Sequence, residues 1–252
     1  MSLTLASFPH NYRALVFGAG GGLGAAFVRA LADDPRCAAV FAVSRRTLDM
    51  PGVTALQADF NDPDTIAAAA GAASADGPLH LVITATGILH DGGDLQPEKS
   101  WRDLDADRLA EVLRINVIGP SLIARHTLDR LARGSRDAPD KAVWAALSAR
   151  VGSITDNRLG GWHGYRASKA ALNQMIRTLS VELARKAPGA ACIGLHPGTV
   201  DTGLSKPFQR NVPDGKLFTP QYSAEKLLGV IDAVGPSDTG QVFDWAGQRI
   251  DP

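Results

Sequence analysis

Tyr165 and Lys169 stand four residues apart in the stretch YRASK, which puts a phenol and an ammonium on one face of a helix running from about 165 to 186. A phenol with an ordinary pKa near ~10 exchanges protons poorly at neutral pH, and an adjacent cation favours its phenolate form. The pair is therefore equipped for acid–base chemistry, although an ordinary surface pair has the same spacing. A second stretch, GAGGGLG from Gly18 to Gly24, lies between the apolar run YRALVF and the helical pattern AAFVRALA. Its glycines allow a tight turn and a close backbone approach, and the free N–H groups opening the next helix attract a phosphate.

The elements that must position these groups follow from short apolar runs at 13–17, 38–43, 53–58, 79–84, 142–147, 191–196 and 241–245, separated by segments with helical spacing. Unbroken apolar strands joined by helices predict a doubly wound parallel sheet covered on both faces. We expect a single domain over residues 1–252, since no repeat or compositional break divides the chain. The irregular stretches 148–163 and 197–220 are long enough to suggest functional loops, the second covering the substrate. Asn116 interrupts a helix patterned by Leu109, Val112, Leu113 and Val117; Pro120, lacking an N–H, cannot bond the Asn116 carbonyl four residues earlier.

Composition narrows the partners. Twenty-six basic and twenty-six acidic residues cancel, which argues against nucleic acid and anionic membrane surfaces and for a small molecule. No apolar run reaches the length of a membrane span and no leader pattern opens the chain, so a cytoplasmic location is expected. Cys37 and Cys192 have no metal or redox spacing and are expected to be inert; the histidines show no ligand spacing.

The pattern G-x-G-x-x-G fails from Gly18 because Leu23 takes its sixth position, whereas G-x-x-x-G-x-G fits with Gly18, Gly22 and Gly24. AVSRR, QADF, TATG, RINVIGP, LSARVGS, YRASK and HPGTVDT follow in that order. From about residue 12 to the end the chain resembles the short-chain dehydrogenase/reductase family, and most closely its carbonyl-reductase-like members of the C-factor and sniffer type. The resemblance implies a Rossmann-like sheet of about seven strands and hydride transfer between nicotinamide and a carbonyl or secondary alcohol carbon. It assigns Tyr165 as acid/base, Lys169 as its support and a ribose ligand, and Asn116 as the residue whose carbonyl holds a water linking the lysine to solvent.

The family's substrate-binding serine aligns with Ala149 when Gly152 is matched. Ser148 is expected to take the role if the strand end is shifted by one residue, and Ser153 if the turn brings it back; both can instead serve the local backbone. At the end of the second strand, where NAD binders carry an acid, stand Ser44, Arg45 and Arg46, so NADP is favoured with NAD still possible. Asp59 and Phe60 match an adenine-contacting position, for which loop capping is the alternative. Ala85, Thr86 and Gly87 are carried over as wall residues, Pro197 and Gly198 as a turn, Val200 and Thr202 as partners of the carboxamide. His163, beside Trp162, is expected at the substrate mouth, and the loop bearing Lys206, Phe208, Arg210 and Phe218 over it. Family dimers and tetramers pack the helices near 108–133 and 165–186, implying a homodimer or homotetramer. Ala149 and TATG leave open a second function, a cofactor-binding signalling or redox-sensing protein with little turnover.

Overall fold

The computed structural model describes residues 3–133 and 140–251. The chain runs β1 (Tyr12–Phe17), α1 (Gly22–Ala32), β2 (Cys37–Ser44), β3 (Thr54–Gln57), α2 (Pro63–Ala73), β4 (Leu81–Thr84), α3 (Ala106–Leu113), α4 (Gly119–Thr127), β5 (Ala142–Leu147), α5 (His163–Lys186), β6 (Ala190–His196), β7 (Thr199–Val200), β8 (Leu217–Phe218), α6 (Pro220–Ala233), β9 (Val242–Asp244) and β10 (Arg249–Ile250). The main sheet has the order β10-β9-β6-β5-β4-β1-β2-β3. Every pairing in it is parallel except that of β10 with β9. All seven anticipated strands are present. The eighth, β10, is a two-residue return too short to leave a periodic signal, placed by a turn in which Asp244 Oδ1 accepts the N–H groups of Ala246 and Gln248 at 2.9 Å each.

Alternation along the strands feeds two cores. Ala14 and Val16 of β1 pack with Phe27 of α1 and Leu227 of α6 on one face, while Leu15 and Phe17 join Ile66 of α2, Ile123 of α4 and Ile176 of α5 on the other. The edge strand β3 is largely exposed, which departs from the expectation of strands buried on both faces and follows from its having a neighbour on one side only.

The chain leaves β1 toward β2 and β3, then crosses to β4 on the other side of β1. The crevice at that reversal, beyond the carboxyl ends of β1 and β4, is where sheets of this kind bind ligands. The helix expected near 108–133 is divided. Between α3 and α4 the segment Arg114–Ile118 is a π turn in which the Gly119 N–H donates to the Arg114 carbonyl five residues back. Pro120 lies one residue into α4 and has no N–H for either the Ile115 or the Asn116 carbonyl. Among the described residues no helix is long and apolar enough to cross a membrane.

Candidate active site

The glycine turn is shaped by what a side chain would strike. Gly18 has φ +84°, and a Cβ there would lie 2.7 Å from the Ala85 carbonyl oxygen. One on Gly24 would run into the Gly18 carbonyl, and one on Gly22 would lie 2.8 Å from Thr202 Cγ2. The turn is pinned to β2 by Gly18 and Ala19 N–H groups donating to the Val43 carbonyl at 2.9 and 3.0 Å. Gly21 caps α1 without a side-chain bond, so the first-turn N–H groups of Gly22, Leu23 and Gly24 lack an intrahelical acceptor. These features fit the pyrophosphate of a dinucleotide.

Arg45 beyond β2 is exposed, and its guanidinium makes no hydrogen bond or ion pair among the described residues. Ser44 Oγ bonds the Arg46 backbone on both sides, accepting from its N–H at 3.2 Å and donating to its carbonyl. Asp59 spends one carboxylate oxygen on the Asn61 N–H at 2.9 Å, and the Phe60 ring fills the space a side chain at Gly119 would need. Neither borders the cavity described next.

That cavity, of about 470 Å³, brings Gly22, Leu23 and Gly24 together with Ala85, Thr86, Gly87, Tyr165, Lys169, Pro197, Gly198, Val200 and Thr202, within the range of small-molecule sites. Lys169 is buried and its Nζ donates to the Leu147 carbonyl at 2.8 Å, at the end of β5. The same Nζ lies 5.6 Å from the centre of the Tyr165 ring. Asn116, fully buried, holds both backbone groups of Ile88: Oδ1 accepts its N–H at 2.8 Å and Nδ2 donates to its carbonyl at 2.9 Å. A second Nδ2 bond, 3.0 Å to Ser168 Oγ, ties Asn116 to α5. The absent Gly87 side chain marks the meeting point, since a Cβ there would stand 3.4 Å from Asn116 Oδ1 and 3.5 Å from Lys169 Nζ.

Burial dominates the ionisation of both groups. It pushes the Tyr165 phenol up to about 12 and brings the Lys169 ammonium down to about 8. The expectation that the lysine favours a phenolate is not reflected in these shifts, in which desolvation sets the direction for both groups. His196, also on the cavity, is driven down to about 4, first by burial and then by Arg150, against the pull of Asp244.

The two candidate serines have different surroundings. Ser148 Oγ donates to Asn173 Oδ1 at 2.6 Å, so its hydroxyl is engaged with a residue of α5 that does not border the cavity. Ala149 borders it. Ser153 Oγ stands 3.3 Å from Thr155 Oγ1 and accepts the Asp156 N–H at 3.2 Å, in a turn away from the cavity. Asn173 lies two helical turns beyond Tyr165 and one beyond Lys169, so three residues of one α5 face meet the end of β5 or the cavity. The i, i+4, i+8 spacing in YRASKAALN carried that signal unread.

In the substrate loop, β7 pairs with β8, and Phe208 borders the cavity. Phe218 instead packs on Tyr222 and Trp245, with ring centroids at 5.0 and 4.6 Å. Lys206 and Arg210 are exposed. Trp162 borders the cavity and His163 does not.

The family model for short chain dehydrogenases matches residues 12–213. C-signal of Myxococcus xanthus is 34% identical over 148 residues, which are 59% of this chain and 81% of that protein. The 1-hydroxy-2-glutathionyl-2-methyl-3-butene dehydrogenase of Rhodococcus sp. is 31% identical over 145 residues, 56% of this chain and 59% of its own. An NADPH-bound carbonyl reductase from chicken fatty liver superposes with a TM-score of 0.81 at 26% identity, over 97% of this chain and all of that one. The carbonyl reductase Sniffer of D. melanogaster shares the fold with a TM-score of 0.83 at 22% identity, covering 96% and 100% of the two chains. Matched over most of its length and bearing the glycine turn and the Tyr165–Lys169 pair on one cavity, the chain belongs to the short chain dehydrogenase family of nicotinamide-dependent oxidoreductases.

Proposed function

We propose that this protein is an NADP-preferring reductase of ketones or aldehydes, able to run the reverse oxidation of secondary alcohols. The observation that carries the reading is the placement of Tyr165 and Lys169 on the cavity that the glycine turn also borders, with Asn116 and Lys169 meeting at Gly87. Bound in that turn, the cofactor supplies or accepts the hydride. Tyr165 then gives its phenolic proton to the oxygen that develops negative charge, and the burial that keeps the phenol protonated suits a donor in the reducing direction. Lys169, charged below about pH 8, stabilises the phenolate left behind. Asn116 fixes the Gly87–Ile88 wall, and beside it Pro120 leaves a carbonyl of the π turn free of a partner from its own N–H, in support of a water path to Lys169. The unpaired Arg45 supports a 2′-phosphate, and the avian relative is described with NADPH bound.

We assign Ser148 a positioning role through Asn173 rather than a bond to the substrate oxygen, since its hydroxyl already has a partner. That same arrangement, with Ala149 on the cavity, favours the second reading, a cofactor-binding sensor with little turnover. Leu113, Ile118 and Val181 leave apolar surface on the helices α3 to α5, which supports association of copies in solution.

Turnover of a panel of aldehydes, ketones and quinones with NADPH and with NADH tests the proposal. Consumption of NADPH, faster than of NADH, is the expected result. Tight NADPH binding with no turnover across the panel would replace the reductase by the sensor.

A further inference from the structure

The residue that opens α5 is held in an unusual backbone state. Trp162 has φ 52°, following Gly160 and Gly161 at +65° and +66°, a left-handed conformation that bulky side chains rarely adopt. It persists because its surroundings determine it. The Trp162 N–H donates to the Glu98 carbonyl at 2.5 Å, and the buried Glu98 carboxylate accepts the N–H of Gly164 at 3.1 Å. The consequence is a fixed indole edge-on to Tyr165, with ring centroids 6.2 Å apart and planes at 78°.

The far side of the indole meets the substrate loop. Phe208 packs on it at 5.1 Å and 61°, and His90 packs on Phe208 at 5.7 Å. His90 Nε2 lies 3.0 and 3.2 Å from the Gly203 and Leu204 carbonyls; these accept only, so the ring donates and ties the loop after β4 to the substrate loop. Leu89, Val151, Leu204 and Val212 add apolar lining to the same cavity. Arg150 is the cavity's other cation besides Lys169. Its guanidinium is bonded to the Asp244 carboxylate at 3.1 Å and lies 3.8 Å from that of Asp156, so among the described residues no free cation on the cavity awaits an anionic substrate.

Resting on the reductase reading above, we propose that the substrate is an uncharged carbonyl compound whose reacting carbon bears an aromatic or similarly flat apolar group, seated against Trp162 and Phe208. Those two side chains are the specificity determinants. Flat apolar groups gain most from aromatic edges and faces, and a charged group here would lose water with no partner to replace it.

The experiment compares kcat/KM for benzaldehyde, butyraldehyde and phenylglyoxylate in the wild type, Trp162→Phe and Phe208→Ala. Phe208→Ala lies in the loop and leaves the cap of α5 intact, while Trp162→Phe keeps a ring there. The wild type is expected to disfavour phenylglyoxylate against benzaldehyde by about 100-fold. The benzaldehyde-to-butyraldehyde ratio should fall about tenfold in Phe208→Ala and by a smaller factor in Trp162→Phe. A ratio within about twofold of wild type in both variants, or preference for phenylglyoxylate, overturns the proposal. Should the wild type reduce none of the three, the reductase reading fails separately. The binding claim is then decided by the affinity of acetophenone, measured by ligand-observed NMR with and without NADP. About tenfold weaker binding to Phe208→Ala sustains it, and equal or undetectable binding in both proteins sinks it.

Discussion

The glycine turn after β1 and the end of β5 border the same cavity, and they are built by different means. In the turn, shape comes from the backbone: Gly18, Gly22 and Gly24 are required because a Cβ at each would strike Ala85, Thr202 or Gly18 itself. At the end of β5, shape comes from side chains bonding α5: Lys169 holds the Leu147 carbonyl and Ser148 holds Asn173. A backbone cradle offers the same N–H groups to any pyrophosphate. A surface stitched by side chains changes with each substitution, so the cofactor end should tolerate few changes and the substrate end should respond to each in its own way.

Arg45 sharpens the contrast most, because the proposed function makes it the side chain that tunes an otherwise backbone-built end. Arg45→Asp should remove a charge-assisted contact and add repulsion, weakening NADPH by about 2–4 kcal/mol, roughly 30- to 1000-fold, while NADH binding is kept or improved. Titration of both cofactors into both proteins reads this. An unchanged NADPH-to-NADH ratio would make the arginine a solvated surface charge.

Lys169 carries the next largest effect, and it has opposite signs in activity and stability. Its ammonium is lowered by burial to about 8 from 10.5, so between these values the unfolded chain binds a proton that the native state has released, and stability should rise with pH across that window. Below about pH 8 both states are protonated and the native state bears the full cost of the buried charge. Lys169→Met should therefore raise the stability of the ligand-free protein at pH 7 by about 2 kcal/mol, the desolvation relieved less the lost bond to Leu147. It should abolish most turnover. Denaturant unfolding at pH 7 and pH 10 checks both the gain and its shrinkage at the higher pH. In the wild type, kcat/KM for carbonyl reduction should fall as pH rises past about 8, when Lys169 loses its charge.

The smallest effect is expected at Ser148. Ser148→Ala leaves Asn173 Oδ1 without its donor and should lower stability by about 1–2 kcal/mol, with turnover changed less than about threefold. Ala149→Ser, which puts a hydroxyl on the cavity wall, should raise turnover. A loss of ~100-fold in Ser148→Ala with unchanged melting would instead put that hydroxyl on the substrate oxygen.

These differences also explain what could be read from the chain beforehand. The principal strands were legible as short runs rich in Val, Ile and Ala, and the glycine turn because backbone geometry demands glycine by name. Tyr165 and Lys169 were legible from helical spacing read together with the ordered motifs around them. The partner of the Ser148 side chain was not, since Asn173 reaches it from α5, 25 residues further along the chain. The π turn was half visible: Asn116 and Pro120 marked the place, but the five-residue register depends on packing. Gly160 and Gly161 announced a turn before Trp162, yet its left-handed backbone is imposed by Glu98, more than sixty residues earlier. Such long-range bonds leave no local pattern.

The division of labour between the two ends is tested most directly by Tyr165→Phe, which keeps the ring and removes the proton. Turnover with NADPH and a carbonyl substrate should fall by roughly 10²-fold or more, while NADPH affinity, which the proposed function assigns to the glycine turn and Arg45, stays within about twofold of wild type. Full activity in the Phe variant would mean that the proton comes from another group and that the site has been assigned to the wrong residue.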